Sequence, residues 1–150
     1  MLLEVGSLHY AYDNNSKNKV LENINFSIQS GEIIGLMGHS GSGKSTLIQT
    51  LNGILRPQEG QVIIKGRNIK DLSIKTLSKH IGIVLQNPNH QLFEETVYKD
   101  IAFGLKNQGY SEEEIDIKIK EIIKILDIDS SLLGKSPFDL SGGQKKLVSI

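Results

Sequence analysis

The sequence predicts an α/β fold organised around a strand, a glycine-rich loop and a helix in direct succession. Three observations carry that expectation. Residues 32–37 (Glu-Ile-Ile-Gly-Leu-Met) form a short apolar run of the kind that makes a strand buried on both faces. Residues 38–43 then place three glycines in six positions. Beyond them Leu47, Ile48 and Leu51 recur at helical spacing over residues 44–52, with Gly53 as the stop.

The remaining elements follow from punctuation. Residues 2–12 and 20–28 read as an antiparallel pair of strands around the polar turn Asp13-Asn14-Asn15-Ser16. A further strand is expected over 61–65, after Pro57 and Gly60, and another buried one over 81–85, ending at Gln86-Asn87-Pro88. Val97, Ile101, Ala102 and Leu105 predict a helix over 96–106. Ser111 and Glu114 form a capping-box signature ahead of a helix whose apolar face is Ile115, Ile119, Ile122, Ile123 and Leu126. After a loop at 134–137, Leu140-Ser141-Gly142-Gly143-Gln144 leads into one more helix, within which the chain is expected to stop.

Composition narrows the function classes. A chain of 150 residues has room for one domain, and folding at that size can bury roughly 70% of the unfolded surface. Lys and Arg number 17 against 17 Asp and Glu, so the basic footprint on which non-specific nucleic-acid binding depends is missing, and no nucleic-acid partner is expected. With no cysteine there is no disulfide frame, thiol nucleophile or cysteine zinc cluster. The N-terminus lacks the pattern of a signal peptide, and no apolar run approaches the ~20 residues of a membrane span. A cytosolic address is expected, with other chains supplying any membrane contact.

The chemistry lies in two motifs. Gly38-His39-Ser40-Gly41-Ser42-Gly43-Lys44-Ser45 fits G-x-x-x-x-G-K-[ST], and Thr46 follows. Glycines let backbone N–H groups curl around phosphate oxygens, and the helix behind adds its positive end. Lys44 is placed to reach β- and γ-phosphates, and Ser45 to ligate Mg²⁺. The second motif, residues 140–144, puts a hydroxyl and two glycines at a helix start, another arrangement suited to an anion. His9, His39, His80 and His90 have no partners at metal-ligand spacing and read as structural or solvated. Glu112, Glu113 and Glu114 read as charge at a helix N-terminus, not as a catalytic dyad.

The loop over residues 38–45, a Walker A motif, followed by Gln86 and then Leu140-Ser141-Gly142-Gly143-Gln144, resembles the ATP-binding-cassette (ABC) ATPases. The run Gln86-Asn87-Pro88-Asn89-His90-Gln91-Leu92-Phe93, with Thr96-Val97 and residues 101–105, is similar to the ATPases of energy-coupling-factor importers of vitamins, cobalt or nickel. The likeness spans nearly the whole chain. It implies a P-loop NTPase with an N-terminal antiparallel β subdomain, a partial parallel core sheet and a helical subdomain. The parts would be residues 1–85 (β and P-loop), 86–140 (Q-loop and helices) and 140–150 (signature and following helix).

The resemblance further implies that residues 38–46 bind the phosphates of ATP, that Tyr12 stacks on adenine, and that Gln86 contacts Mg²⁺ or water and senses the γ-phosphate. Tyr10 is the alternative to Tyr12, since both share a face if the strand alternates strictly. Leu140, Ser141, Gly142, Gly143 and Gln144 would cap ATP bound to a second ABC subunit, identical or paralogous. Leu92 and Phe93 would lie near the surface that receives a transmembrane coupling subunit, unless they are core. A separate membrane subunit would bind the substrate, and the chain would sit peripherally at the cytoplasmic face of the membrane. The Walker B Asp, catalytic Glu and switch His that follow the signature in this family are not in these residues. The chain therefore reads as an N-terminal fragment, inactive in hydrolysis alone, with uncovered edges at 33–37 and 81–85. Its rivals are a non-catalytic remnant and an ABC-type ATPase of another importer or of nucleic-acid metabolism. The neutral charge and the closeness of the signature to Walker A weigh against the last.

Overall fold

The computed structural model describes residues 1–13 and 19–150, so the expected turn residues Asn14, Asn15 and Ser16 lie outside the described residues. The chain divides into two compact units, Met1–Gly82 and Ile83–Ile150.

The first unit is a four-stranded antiparallel sheet in the order β2-β1-β3-β4, with helix α1 (Lys44–Leu51) and a short α2 (Ile74–Leu77). Its strands are β1 (Leu3–Tyr10), β2 (Leu21–Ile28), β3 (Glu59–Ile64) and β4 (Arg67–Asn68). β1 begins with Leu3 and Val5 inward and continues with Leu8 and Tyr10 inward, which strict alternation forbids. A bulge resolves the conflict. Ser7 adopts φ 45°, the register slips between Val5 and Leu8, and Asn25 Oδ1 accepts the freed Ser7 N–H at 2.8 Å. Gly60 faces this bulge at φ 81°, and a Cβ there would lie 2.2 Å from the Ser7 carbonyl oxygen. β3 turns into β4 through Lys65 (φ 47°) and Gly66 (φ 77°), the doubly positive pair that a two-residue hairpin with matched twist requires.

The core of this unit joins Leu3, Val5, Leu8, Tyr10 and Leu21 of the first two strands to Val62, Ile64, Leu47, Ile69 and Leu77. Each such burial contributes about 1.5–3 kcal/mol, which is how an eight-residue helix, too short to persist alone, is held.

Two expectations fail here. Residues 32–37 and 81–85 form no strand, and no parallel ladder exists among the described residues. Ile33 and Met37 are 98% and 92% exposed, as the expected uncovered edge would be. A strand is a pairing, not a propensity: with no neighbour to take its N–H and C=O groups, an apolar segment gains nothing by extending into a ladder.

In the second unit α3 (Val97–Gln108) starts on Thr96, whose side chain accepts from Lys99 N–H, and stops at Gly109, φ 94°. α4 (Glu112–Ile125) starts on a complete capping box between Ser111 and Glu114. Ala102 packs with Ile115, Ile119 and Ile123, while Val97 joins Leu132 and Leu140. Ile122, expected on the buried face of α4, is 38% exposed because the apolar stripe is narrower than the spacing suggested. α5 (Gly142–Val148) closes the described elements.

Candidate functional site

The glycine-rich loop leads without regular structure into α1. Gly38, Gly41 and Gly43 all have positive φ, and Gly43 is hemmed in by backbone: at φ 86° a Cβ would stand 3.0 Å from the Val20 carbonyl oxygen. The N–H groups of Lys44, Ser45 and Thr46 open the helix and have no intrahelical partner. No acidic residue occupies that first turn, so the positive end of the helix is not neutralised by its own side chains. Lys44 folds back over the loop, its Nζ donating to the carbonyls of Gly38 (2.8 Å) and His39 (2.7 Å) and to Ser42 Oγ (3.3 Å). The ammonium is thus held over the loop by three of the loop's own oxygens. Ser40 is exposed beside it, and His39 Nδ1 lies 2.8 Å from the Ser40 carbonyl. Ser45 is exposed at the helix start, a donor suited to a hard cation shared with phosphates.

Tyr12 and Tyr10 part company. β1 ends at Tyr10, and the Gln58 side chain then clamps Ala11 from both sides, its Oε1 accepting from Ala11 N–H at 2.9 Å and its Nε2 donating to Ala11 C=O at 2.7 Å. Alternation stops there. Tyr10 is core, 8% exposed, whereas Tyr12 is 62% exposed. Their rings meet edge to face at 5.2 Å, and the Tyr12 hydroxyl lies 2.9 Å from Thr46 Oγ1. Thr46 is buried, and its hydroxyl is engaged with that of Tyr12.

In the second unit Gln86 is exposed, and its side chain makes no hydrogen bond among the described residues. Leu140 is buried. Ser141 caps α5 in a reciprocal pair, its Oγ accepting from Gln144 N–H at 3.3 Å while Gln144 Oε1 accepts from Ser141 N–H at 2.9 Å. Gly142 and Gly143 are exposed, with open space where a Cβ would stand. Leu92 is core at 6% exposure, but Phe93 is 58% exposed and meets Phe103 edge to face at 4.8 Å. Both line a groove of about 460 Å³ with Ile101, Leu105 and Ile122. Reading the sequence gave no role to Gln58 or Gln91, whose amides organise nearby loops; Gln58 belongs to no motif, and Gln91 stands in the run 86–93 without a local signal of its hydrogen-bond partners.

Comparison with known proteins gives a consistent picture. Residues 21–150 match the family model described as ABC transporter. The energy-coupling factor transporter ATP-binding protein EcfA2 of Acetivibrio thermocellus is 49% identical over 152 residues, covering 100% of this chain and 54% of that protein. EcfA2 of Bacillus subtilis is 49% identical over 136 residues, covering 87% and 49%. The chain spans about half the length of the curated relatives it matches. Among solved structures, cbiO1 of Clostridium perfringens, part of the ABC transporter complex cbiONQ, superposes with a TM-score of 0.84 at 38% identity, over 99% of this chain and 59% of that one. The cassette MJ0796 bound to ADP and Pi gives 0.83 at 28% identity, over 99% and 67%.

Proposed function

Since the chain belongs to the ABC transporter family, we propose that it is the nucleotide-binding portion of an ATPase subunit that powers import through an energy-coupling-factor transporter. The observation that carries the reading is the Lys44 ammonium, poised over a loop of positive-φ glycines at an un-neutralised helix start. Relatives named as energy-coupling-factor ATP-binding proteins support the transporter class.

In this reading the backbone N–H groups at the start of α1 take phosphate oxygens, Lys44 exchanges its carbonyl partners for β- and γ-phosphate, and the exposed face of Tyr12 stacks on adenine. The Ser45 hydroxyl would hold Mg²⁺, which when bound offsets the charge of the phosphates. Ser141, Gly142 and Gly143 present the signature to a nucleotide on a second subunit. The groove beside Phe93 and Phe103 receives an apolar segment of a membrane subunit. No helix among the described residues is long and apolar enough to cross a membrane. A peripheral position at the cytoplasmic face therefore depends on that partner.

The test is thermal unfolding of the chain with and without MgATP. At about 100 times its Kd a specific ligand adds roughly 2.7 kcal/mol. A melt that rises with MgATP in wild type and not in Lys44→Ala is expected; a melt indifferent to MgATP would count against nucleotide binding by this chain.

A further inference from the structure

Ala11 is the first residue past both of the ladders that β1 makes. The pairing with β2 closes at Tyr10 and Leu21, and the pairing with β3 closes at His9 and Glu59. Continued two residues further, the β3 register sets Ala11 opposite Pro57, which has no N–H to donate and cannot complete a rung. Ala11 is nevertheless buried, 7% exposed, so its N–H and C=O need partners from the protein. The Gln58 side chain supplies both, accepting from Ala11 N–H at 2.9 Å and donating to Ala11 C=O at 2.7 Å. A side-chain amide has the donor and the acceptor of a peptide group, and here it takes the place of the next backbone rung.

The clamp fixes the point at which the chain leaves the sheet. Tyr10, one residue before it, is core at 8% exposure, and Tyr12, one residue after it, is 62% exposed. Two further contacts hold the Tyr12 ring: the edge-to-face meeting with Tyr10 at 5.2 Å, and the hydroxyl 2.9 Å from Thr46 Oγ1. Thr46 is itself anchored within α1, where its carbonyl accepts from the Thr50 hydroxyl at 2.8 Å. Those two contacts act on the ring, whereas the Gln58 amide acts on the backbone that carries it. An exposed ring that is already ordered gives up less conformational freedom when a flat ligand stacks on it.

We propose that Gln58 is a positioning residue for the base of the bound nucleotide: its amide, in place of the rung that Pro57 cannot supply, sets where the chain leaves the sheet and holds the Tyr12 ring ready for a purine. The inference rests on the nucleotide reading above, in which Tyr12 stacks on adenine. Satisfying a buried backbone is the purely structural role that the same two hydrogen bonds could serve. The two roles differ in one respect: positioning acts on nucleotide affinity only through the Tyr12 ring.

A double-mutant cycle on the full chain separates them. Gln58 is exposed, so Gln58→Met keeps the side-chain length and removes the amide without opening the core. Gln58→Met is expected to speed hydrogen exchange at the Ala11 amide and to weaken ATP binding in calorimetric titration about fivefold, the cost of ordering one free side chain on binding. In a Tyr12→Ala background the same substitution is expected to leave ATP affinity unchanged. Gln58→Glu, which keeps the acceptor for Ala11 N–H and gives up the donor, is expected to lose less, and its Tyr12→Ala partner subtracts the effect of the added charge. ATP affinity that stays at the wild-type level in Gln58→Met, or that falls equally with and without the Tyr12 ring, would overturn the proposal alone. Undiminished affinity in Tyr12→Ala, or a wild-type chain that binds no ATP, would defeat the nucleotide reading itself and, with it, the role given to Gln58.

Discussion

The Tyr12 hydroxyl lies 2.9 Å from the hydroxyl of Thr46, fastening the exit of β1 to the first turn of α1. The exposed ring is thereby held at a fixed offset from the phosphate-type loop. Tyr12→Ala is expected to weaken ATP binding by about 1–3 kcal/mol, the range for base–aromatic stacking. Tyr12→Phe keeps the ring and leaves the buried Thr46 hydroxyl without this partner, lowering stability by about 1 kcal/mol with most of the affinity retained. Nucleotide titration and thermal melts distinguish the two.

Lys44 donates to three oxygens of its own loop. Removing the charge deletes hydrogen bonds of the charged class, worth about 1.5–3 kcal/mol. Lys44→Ala is expected to cost one to two decades of ATP affinity by calorimetric titration, while the unliganded melt moves little because the side chain crosses only its own loop.

Gly60 sits where a Cβ would overlap the Ser7 carbonyl, at a φ that L-residues avoid. Gly60→Ala is expected to destabilise the first unit by more than about 2 kcal/mol, since strain of about 1–3 kcal/mol is joined by backbone overlap. Gly66→Ala, with open space at a similar φ of 77°, is the control and should cost less. Urea midpoints compare them.

A hydrogen bond to Asp116, then burial and the charges of Asp116 and Glu112, push the Tyr98 phenol up to about 12. Because the folded value lies above the ordinary one of 10.0, this contribution is whole below pH 10 and disappears as pH rises through about 12. In an ultraviolet titration, one of the 4 tyrosines is expected to ionise late, and Tyr98→Phe to abolish that step.

Hydrogen bonds from the Ser111 N–H and hydroxyl hold the Glu114 carboxyl below its ordinary value of 4.5. A depressed carboxyl stabilises above its unfolded value and loses the effect as pH falls through the folded one. The unfolding midpoint should therefore drop on acidification below about pH 4.5, and Glu114→Gln should flatten that dependence; an equal slope in both proteins would rule the capping box out as its source.

What was legible in the sequence was local. The capping box at Ser111 and Glu114, the helix behind the glycine loop and the pairing of the first two strands depend on residues close in the chain, where turn chemistry and periodicity act directly, and the family followed from short local motifs taken in order. Tertiary structure decided the rest. Tyr12 was separated from Tyr10 by a clamp from distant Gln58, which ends the alternation that made them look alike. Leu92 went inward and Phe93 outward through packing that hydrophobicity does not order. Residues 32–37 and 81–85 read as strands and form none, because a ladder needs a second chain segment to accept its hydrogen bonds, and that requirement is written in neither segment. Gln91 stands in the run 86–93 that carries the family likeness, yet its joining of Leu85 to Ser149 appears only once folding brings them together. Composition and spacing fix which groups exist and which turns they favour; only the folded chain decides which of them meet.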